Sequence, residues 1–362
     1  MRTAARRSNA VSLFAAKQCR SDARACSKSA SLAIAAAVIA LSPVVQGIES
    51  AGTSDTVTAA PAPSQTARSD QQPVPVDART AILDLFRTHS IVALSEGLHG
   101  NEQAHAFRLT LIRDPRFAAS VDDIVVEFGS ARYQDVLDRY VEGEDVPYAT
   151  LRHVWEDTTQ GDTVWDCPIY EEFFRAVREV NASLSSGRHI RVLLGDPPVD
   201  WNAVIAGTTD TGAPKRESHA AGVVLREVIA KHHHALIIYG GGHLFRAGDS
   251  LVSRIEREGA SVFTILTVMS DANYVLLKRL APDLASWPLP ALAMIRGTAL
   301  DQEQFVYRDA LLYLGSPATI TFSPLPSSLC RDVAYMRMRI GRMRAVHDER
   351  GVDALNSDCA GR

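Results

Sequence analysis

The sequence predicts an α/β fold: a largely parallel sheet flanked by helices, with a helical insertion. Three observations carry this. Short apolar runs rich in β-branched residues recur along the chain, as strands buried on both faces require. Between them lie stretches whose apolar residues fall at helical spacing. The composition, 46% hydrophobic and 22% charged, is that of a globular chain and excludes collagen, full-length disorder and a polytopic membrane protein.

The first part of the 362-residue chain does not read as fold. Residues 1–46 carry seven Lys/Arg against one acid, Asp22, and then an uncharged apolar run, Ser31-Leu-Ala-Ile-Ala-Ala-Ala-Val-Ile-Ala-Leu41. Basic, then apolar, then small and polar is the order of an export signal. The run is short of the ~20 apolar residues a bilayer span needs, so cleaved signal and membrane anchor both stay open. An exported protein, periplasmic or anchored facing the periplasm, is expected, touching the membrane only through this segment. Residues 47–77, rich in Ala, Pro, Ser, Thr and Gln, read as a disordered linker. Residues 78–362 remain as one α/β domain.

In that domain the elements follow in order. Ala81–Phe86 is helical. Ile91–Leu94 is the first buried strand, and Ala104, Phe107 and Leu111 mark one face of a helix after it. Ile124–Val126 is the second strand, followed by a helix through Tyr133, Val136, Leu137 and Tyr140. The segment 142–168 fits no strand slot and is read as an inserted helical or loop region near the site; it holds Trp155, Asp157, Trp165 and Cys167. A helix through Phe173, Val177, Val180 and Leu184 leads to a third strand, Ile190–Leu194. Val223–Ile229 is helical, Ala235–Tyr239 the fourth strand, Leu251–Ile255 helical, and Val262–Leu266 the fifth strand. After 270 the pattern weakens among prolines.

Removing the leader's charges from the chain's 38 basic and 42 acidic residues leaves 31 and 41, a net of −10. So acidic a body is not a nucleic-acid binder. Nor is there a P-loop or GxGxxG to suggest a nucleotide cofactor. Of the domain's cysteines, Cys167, Cys330 and Cys359, none has CxxC spacing. A Cys330–Cys359 bridge is compatible with an oxidising compartment but not demanded.

Ligands of open α/β sheets bind beyond the carboxyl ends of the strands, and four strand ends here carry reactive side chains. They are Ser95-Glu96-Gly97-Leu98-His99-Gly100, Glu127-Phe128-Gly129, Gly195-Asp196-Pro197-Pro198 and Gly240-Gly241-Gly242-His243. If the sheet is parallel they share one edge. Histidine beside a carboxylate suits a general base; two His with two carboxylates also make a ligand set for a divalent metal ion.

Ser95-Glu96-Gly97-Leu98-His99-Gly100 resembles the Gly-Glu-x-x-His-Gly motif of the erythromycin esterase family. The chain also looks like a member of the wider superfamily that holds the ChaN-like haem-uptake proteins and the Tiki proteases. Asp123-Ile-Val-Val-Glu127 is similar to that superfamily's second strand, which ends in a functional Glu, and Gly240-Gly-Gly-His243 to its late Gly-x-x-His motif. Ser95 stands where the family has Gly, and the C-terminal third matches nothing. The resemblance implies an active site of Glu96, His99, Glu127 and His243, the same four being the metal ligands if a metal is present.

The reading is therefore a hydrolase in which His99 activates water toward an ester or amide of a small molecule or peptide. Glu96 orients His99, Glu127 and His243 complete the site, and Asp196 and Trp155 bind substrate, with Asp196 at the rim. A divalent ion is the open cofactor, haem the second candidate. Two alternatives stand beside it. One is a haem- or iron-binding uptake protein without catalysis. The other is a serine esterase, since Ala93-Leu-Ser95-Glu-Gly97 is a degenerate nucleophile elbow and Ser95, Asp196 and His243 follow in α/β-hydrolase order. His232-His233-His234 reads as a helix end. His105, six residues beyond His99, is a possible outer neighbour. The stretch Arg331–Arg350, with six Arg, reads as a solvated C-terminal helix packed through its Met residues.

Overall fold

The computed structural model describes residues 71–361, apart from 303, 304 and 306. The expected leader and all but the last residues of the expected linker lie outside them. An eight-stranded sheet runs through the molecule: β1 (Val76–Asp77), β2 (Ile91–Ser95), β3 (Asp123–Ser130), β4 (Arg191–Asp196), β5 (Ala235–Tyr239), β6 (Val262–Val268), β7 (Ala291–Met294) and β8 (Ala310–Tyr313). Their spatial order is β1-β7-β8-β6-β2-β5-β3-β4. Strands β2 to β6 and β8 pair parallel; β7 is antiparallel to β8, and β1 to β7.

The apolar runs are continuous because successive residues bury on opposite faces. Val92 and Leu94 of β2 join Ile124, Val126, Leu236 and Ile238 on one face, under the helices Ala78–Leu85, Glu102–Ile112, Gln134–Val141 and Pro168–Asn181. Ile91 and Ala93 join Val125, Leu193 and Ile237 on the other, under Arg216–Val223 and Leu251–Arg257. The five predicted strands are all present, most of them longer than their apolar cores. The sheet also gains β7 and β8, and its edge β1 begins at Val76, inside the segment read as linker. No helix among the described residues is long and apolar enough to cross a membrane.

Segment 142–168 folds into two one-turn helices, Tyr148–Leu151 and His153–Glu156, and an irregular stretch leading to Pro168. The C-terminus is a small helical layer: Ser327–Arg331, Val333–Ala345 and Glu349–Cys359, with Cys330 bonded to Cys359. Its middle helix is not the solvated one expected. Arg339 is 1% exposed and its guanidinium grips Asp166, while Arg342 binds Asp157. A spacing pattern cannot distinguish an arginine facing water from one that finds a buried carboxylate. The histidine tract does end a helix: His232 takes a left-handed φ of 55° and His233 Nδ1 lies 2.7 Å from Asp123 Oδ2, at the sheet edge where β5 and β3 begin.

Candidate active site

The chain crosses from β2 to β3 and β4 and returns with β5 between β2 and β3. The carboxyl ends of β2, β5 and β3 therefore lie side by side, where ligands bind in such sheets. After β2 the backbone turns through Gly97 and Gly100, at φ 82° and 76°, a region open to glycine at little cost. Asn101 caps the next helix by accepting from Ala104 N, and its amide donates back to the carbonyls of Glu96 and Leu98. The folded loop sets His99 Nδ1 2.9 Å from Glu96 Oε2. Glu96 is wholly buried, with Arg108 Nη2 3.6 Å from its other oxygen; the His99 side chain is 32% exposed. The edge of His99 meets Trp165, ring centroids 4.6 Å apart.

Glu127 lies where β3 parts from β5. Regular pairing between the two ends at Val126 and Ile238, and the β3–β4 register shifts before Ser130. Irregularities of this kind re-aim side chains beside active sites. Glu127 Oε2 accepts from Gly240 N at 2.7 Å; its Oε1 accepts from Arg216 Nη2 at 2.6 Å and lies 3.1 Å from His243 Nε2. Gly240 runs under the centre: a Cβ there would stand 3.2 Å from Glu127 Oε2, 3.4 Å from His243 Cδ2 and 3.6 Å from His99 Cε1. Ligand atoms from Glu96, His99 and Glu127 lie within 4.8 Å of one another. Glu96, His99, Glu127 and His243 are thus brought together, as the strand-end argument expects.

Three of the expected details need correction. His243 is bound on both sides, Nε2 by Glu127 and Nδ1 by Glu217. Burial alone would lower its pKa, but the carboxylates of Glu127 and Glu217 outweigh burial and push it up to about 10. Both nitrogens of His243 thus face carboxylates, and its ring is not among the side chains whose ligand atoms gather at Glu96, His99 and Glu127. Asp196 is not at the rim: it is buried, with both oxygens bonded to Thr159 and one also to Arg216 Nε. Burial raises its pKa to about 6, against Arg216 and the Thr159 bonds. Trp155 packs on Phe174 in the core and touches no site residue in a ring contact; Trp165 has the place beside His99.

The serine reading is not assembled either. Ser95 is buried, its Oγ accepts from Gly97 N, and the oxygens of Asp196 are held by Thr159 and Arg216, not by His243. His105 binds Glu172 behind the site, and burial, then Arg108, lower its pKa to about 4.

Sequence reasoning missed Arg216 and Glu217. They open the helix Arg216–Val223 after a Gly/Pro-containing loop, so the strand-end rule extended one loop further would have reached them. Arg108 and Thr159 carry no local signal, whereas Trp165 lies in the insertion expected near the site.

The electrostatics follow from these contacts. Burial would raise the pKa of Glu127, but His243 and Arg216 hold it well below the usual carboxylate range. Burial would depress His99, but Glu96 and then Glu127 outweigh it and raise its pKa above the ordinary imidazole value of 6.5. The site meets solvent through His99, His243 and Glu217. A cleft of about 550 Å³ opens beyond β4, lined by Pro197, Thr209, Lys215 and His219 among others and by none of Glu96, His99, Glu127 and His243.

No family model and no curated protein matches the chain. Among solved structures it is similar to ChaN of Campylobacter jejuni, described as binding haem cofacially, at 11% identity and a TM-score of 0.40, over 67% of this chain and 93% of that one. It is similar to a protein of Bacillus cereus at 12% identity and a TM-score of 0.44, over 70% and 97%. It is also similar to the type III effector HopBA1 at 10% identity and a TM-score of 0.40, over 69% and 98%.

Proposed function

We propose that this chain is a hydrolase of ester or amide bonds, of the erythromycin esterase-like superfamily its motifs resemble, with His99 as general base. The observation that carries the reading is the Glu96–His99 pair: a wholly buried carboxylate on Nδ1 and an imidazole open to solvent on the ligand-binding edge of the sheet. Glu96 accepts the Nδ1 proton and so leaves Nε2 as the basic nitrogen. Nε2 takes a proton from water as the water oxygen attacks the carbonyl carbon. The same proton then goes to the leaving oxygen or nitrogen as the tetrahedral intermediate collapses. His243 and Arg216 hold Glu127 in place beside the pair and balance its charge.

A divalent ion fits the donors of Glu96, His99 and Glu127: two carboxylates and an imidazole at ligand spacing, with Glu96 Oε1 buried and accepting no hydrogen bond among the described residues, Arg108 being 3.6 Å away. Those three would hold it, and a bound ion supplies water of lowered pKa. Hydrolysis of a panel of esters and amides, with elemental analysis of the same sample, tests the proposal. Turnover that His99→Ala and His243→Gln both leave intact would sink it.

Export belongs to the same reading. The basic-then-apolar leader supports it, and so does the Cys330–Cys359 bond, since disulfides persist in oxidising compartments. Fractionation that finds full-length chain only in the cytosol would overturn it.

A further inference from the structure

The C-terminal helical layer reaches the site through one segment. Arg339 donates from Nε to Asp166 Oδ2 at 2.7 Å and from Nη1 to the carbonyl of Glu156 at 3.0 Å; Tyr335 also donates to Asp166. Arg342 donates to the same carbonyl and to Asp157. The stretch 156–166 is thereby held at both ends by one helix. Two of its residues touch the site. Trp165, next to Asp166, sets its ring against His99. Thr159 binds both oxygens of Asp196, which with Glu127 holds Arg216.

The clamp itself is thinly supported. Its apolar cluster is only Leu325, Tyr335, Met343, Val352 and Leu355 with a few half-buried neighbours. The Cys330–Cys359 bond ties the first helix of the layer to the last, and both cysteines are partly exposed. A core that small needs a covalent tie to hold its shape.

We infer that Asp166 and Arg339 are positioning residues for the chemistry at His99, and that the Cys330–Cys359 disulfide closes the helical layer that holds them. The inference rests on the hydrolase reading for its kinetic consequence, not for its structural one. The folded site would then reach full activity only after oxidation, matching a protein assembled outside the cytoplasm.

The experiment compares wild type, Arg339→Met and wild type reversibly reduced with dithiothreitol, each shown to be folded by circular dichroism. Two readouts are taken: hydrolysis of p-nitrophenyl acetate, and the NMR shifts of the His99 ring protons, which Trp165 displaces by its ring current. The expected result is that both perturbed forms move the His99 ring signals toward those of a solvated imidazole. They also lower kcat by about 10²-fold with KM near wild type, the cost of ångström-scale misplacement, and reoxidation restores both. Unchanged His99 signals and kcat in folded Arg339→Met and in the reduced protein overturn the inference. If Arg339→Met does not fold, Arg339→Lys, which keeps the charge but loses the fork, and the reduced wild type decide by the same readouts. If wild type hydrolyses no ester, the hydrolase reading fails, and the His99 signals alone decide whether Asp166 and Arg339 position that ring.

Discussion

Glu96 Oε2 lies 2.9 Å from His99 Nδ1, and the two side chains differ sharply in exposure: the carboxylate is wholly buried, while the imidazole is 32% open. A buried acceptor fixes the ring's orientation and tautomer, and the open face leaves the other nitrogen for a reacting molecule. This asymmetry separates His99 from His243, which is closed in by a carboxylate on each nitrogen.

His99→Ala should lower kcat by about 10²–10⁴-fold, the usual share of a general base, with the fold intact because the ring is half-buried at the edge of the core. Ser95→Ala should change kcat little, since Ser95 Oγ only accepts from Gly97 N. Steady-state kinetics on the two variants check this. A Ser95→Ala protein without turnover, and a wild type that accumulates an acyl-enzyme, would reverse the assignment.

The pH–rate profile should rise through a midpoint above 6.5, because Glu96 and Glu127 raise the pKa of His99 and only the neutral imidazole accepts a proton. Glu96→Gln removes the largest opposing influence to burial and should move the midpoint down. A kcat/KM profile for each protein reads it directly. Midpoints that coincide would show that another group limits the rate.

Gly240→Ala should impair activity more than stability. Gly240 is not among the positive-φ glycines, so alanine costs no backbone strain, but its Cβ would crowd Glu127 Oε2 at 3.2 Å and lie in contact with His243 and His99. Gly195→Ala is the contrasting case: its Cβ would collide with Tyr239 Oη and stand 3.0 Å from the Val126 carbonyl. Overpacking of that kind costs about 1–3 kcal/mol. Thermal unfolding and turnover on both variants should place Gly195→Ala as the less stable protein and Gly240→Ala as a stable but impaired one.

The parallel core was legible because strands buried on both faces leave continuous apolar runs, as Ile91–Leu94 and Ala235–Tyr239 do. Strands β7 and β8 were not. Each has four residues, prolines crowd the chain before the first (Pro288, Pro290) and after the second (Pro317), and their burial depends on the long-range cluster around Trp287 and Phe305. At the site, Glu96, His99, Glu127 and His243 were legible from strand ends alone. Their partners were not: Arg216 opens a helix one loop beyond the strand end, and Thr159 arrives from an irregular stretch whose direction no local pattern encodes. The state of His243 was illegible for the same reason: Glu127 and then Glu217 set it, and Glu217 is a neighbour only in space.

His243 also gives the protein a measurable pH signature. Its pKa is about 10 in the folded chain against an ordinary 6.5, so between those values the folded state holds a proton that the unfolded chain has released. Stability from this group is complete below pH 6.5 and is lost as pH rises through 10. With more protons bound in the folded state, the unfolding free energy falls with pH, by at most about 1.4 kcal/mol per unit for one group. His243→Gln keeps a hydrogen-bonding side chain but cannot carry the charge, so its slope from pH 7 to 10 should be shallower than wild type. Glu127 works in the opposite sense and in another range. Its depressed pKa contributes stability present above the unfolded carboxylate value and lost on acidification, so it does not confuse the alkaline window. Urea unfolding at intervals across pH 7–10 measures the difference. Parallel slopes for wild type and His243→Gln would mean that His243 is neutral in the folded protein. It would then again be a candidate base or metal ligand.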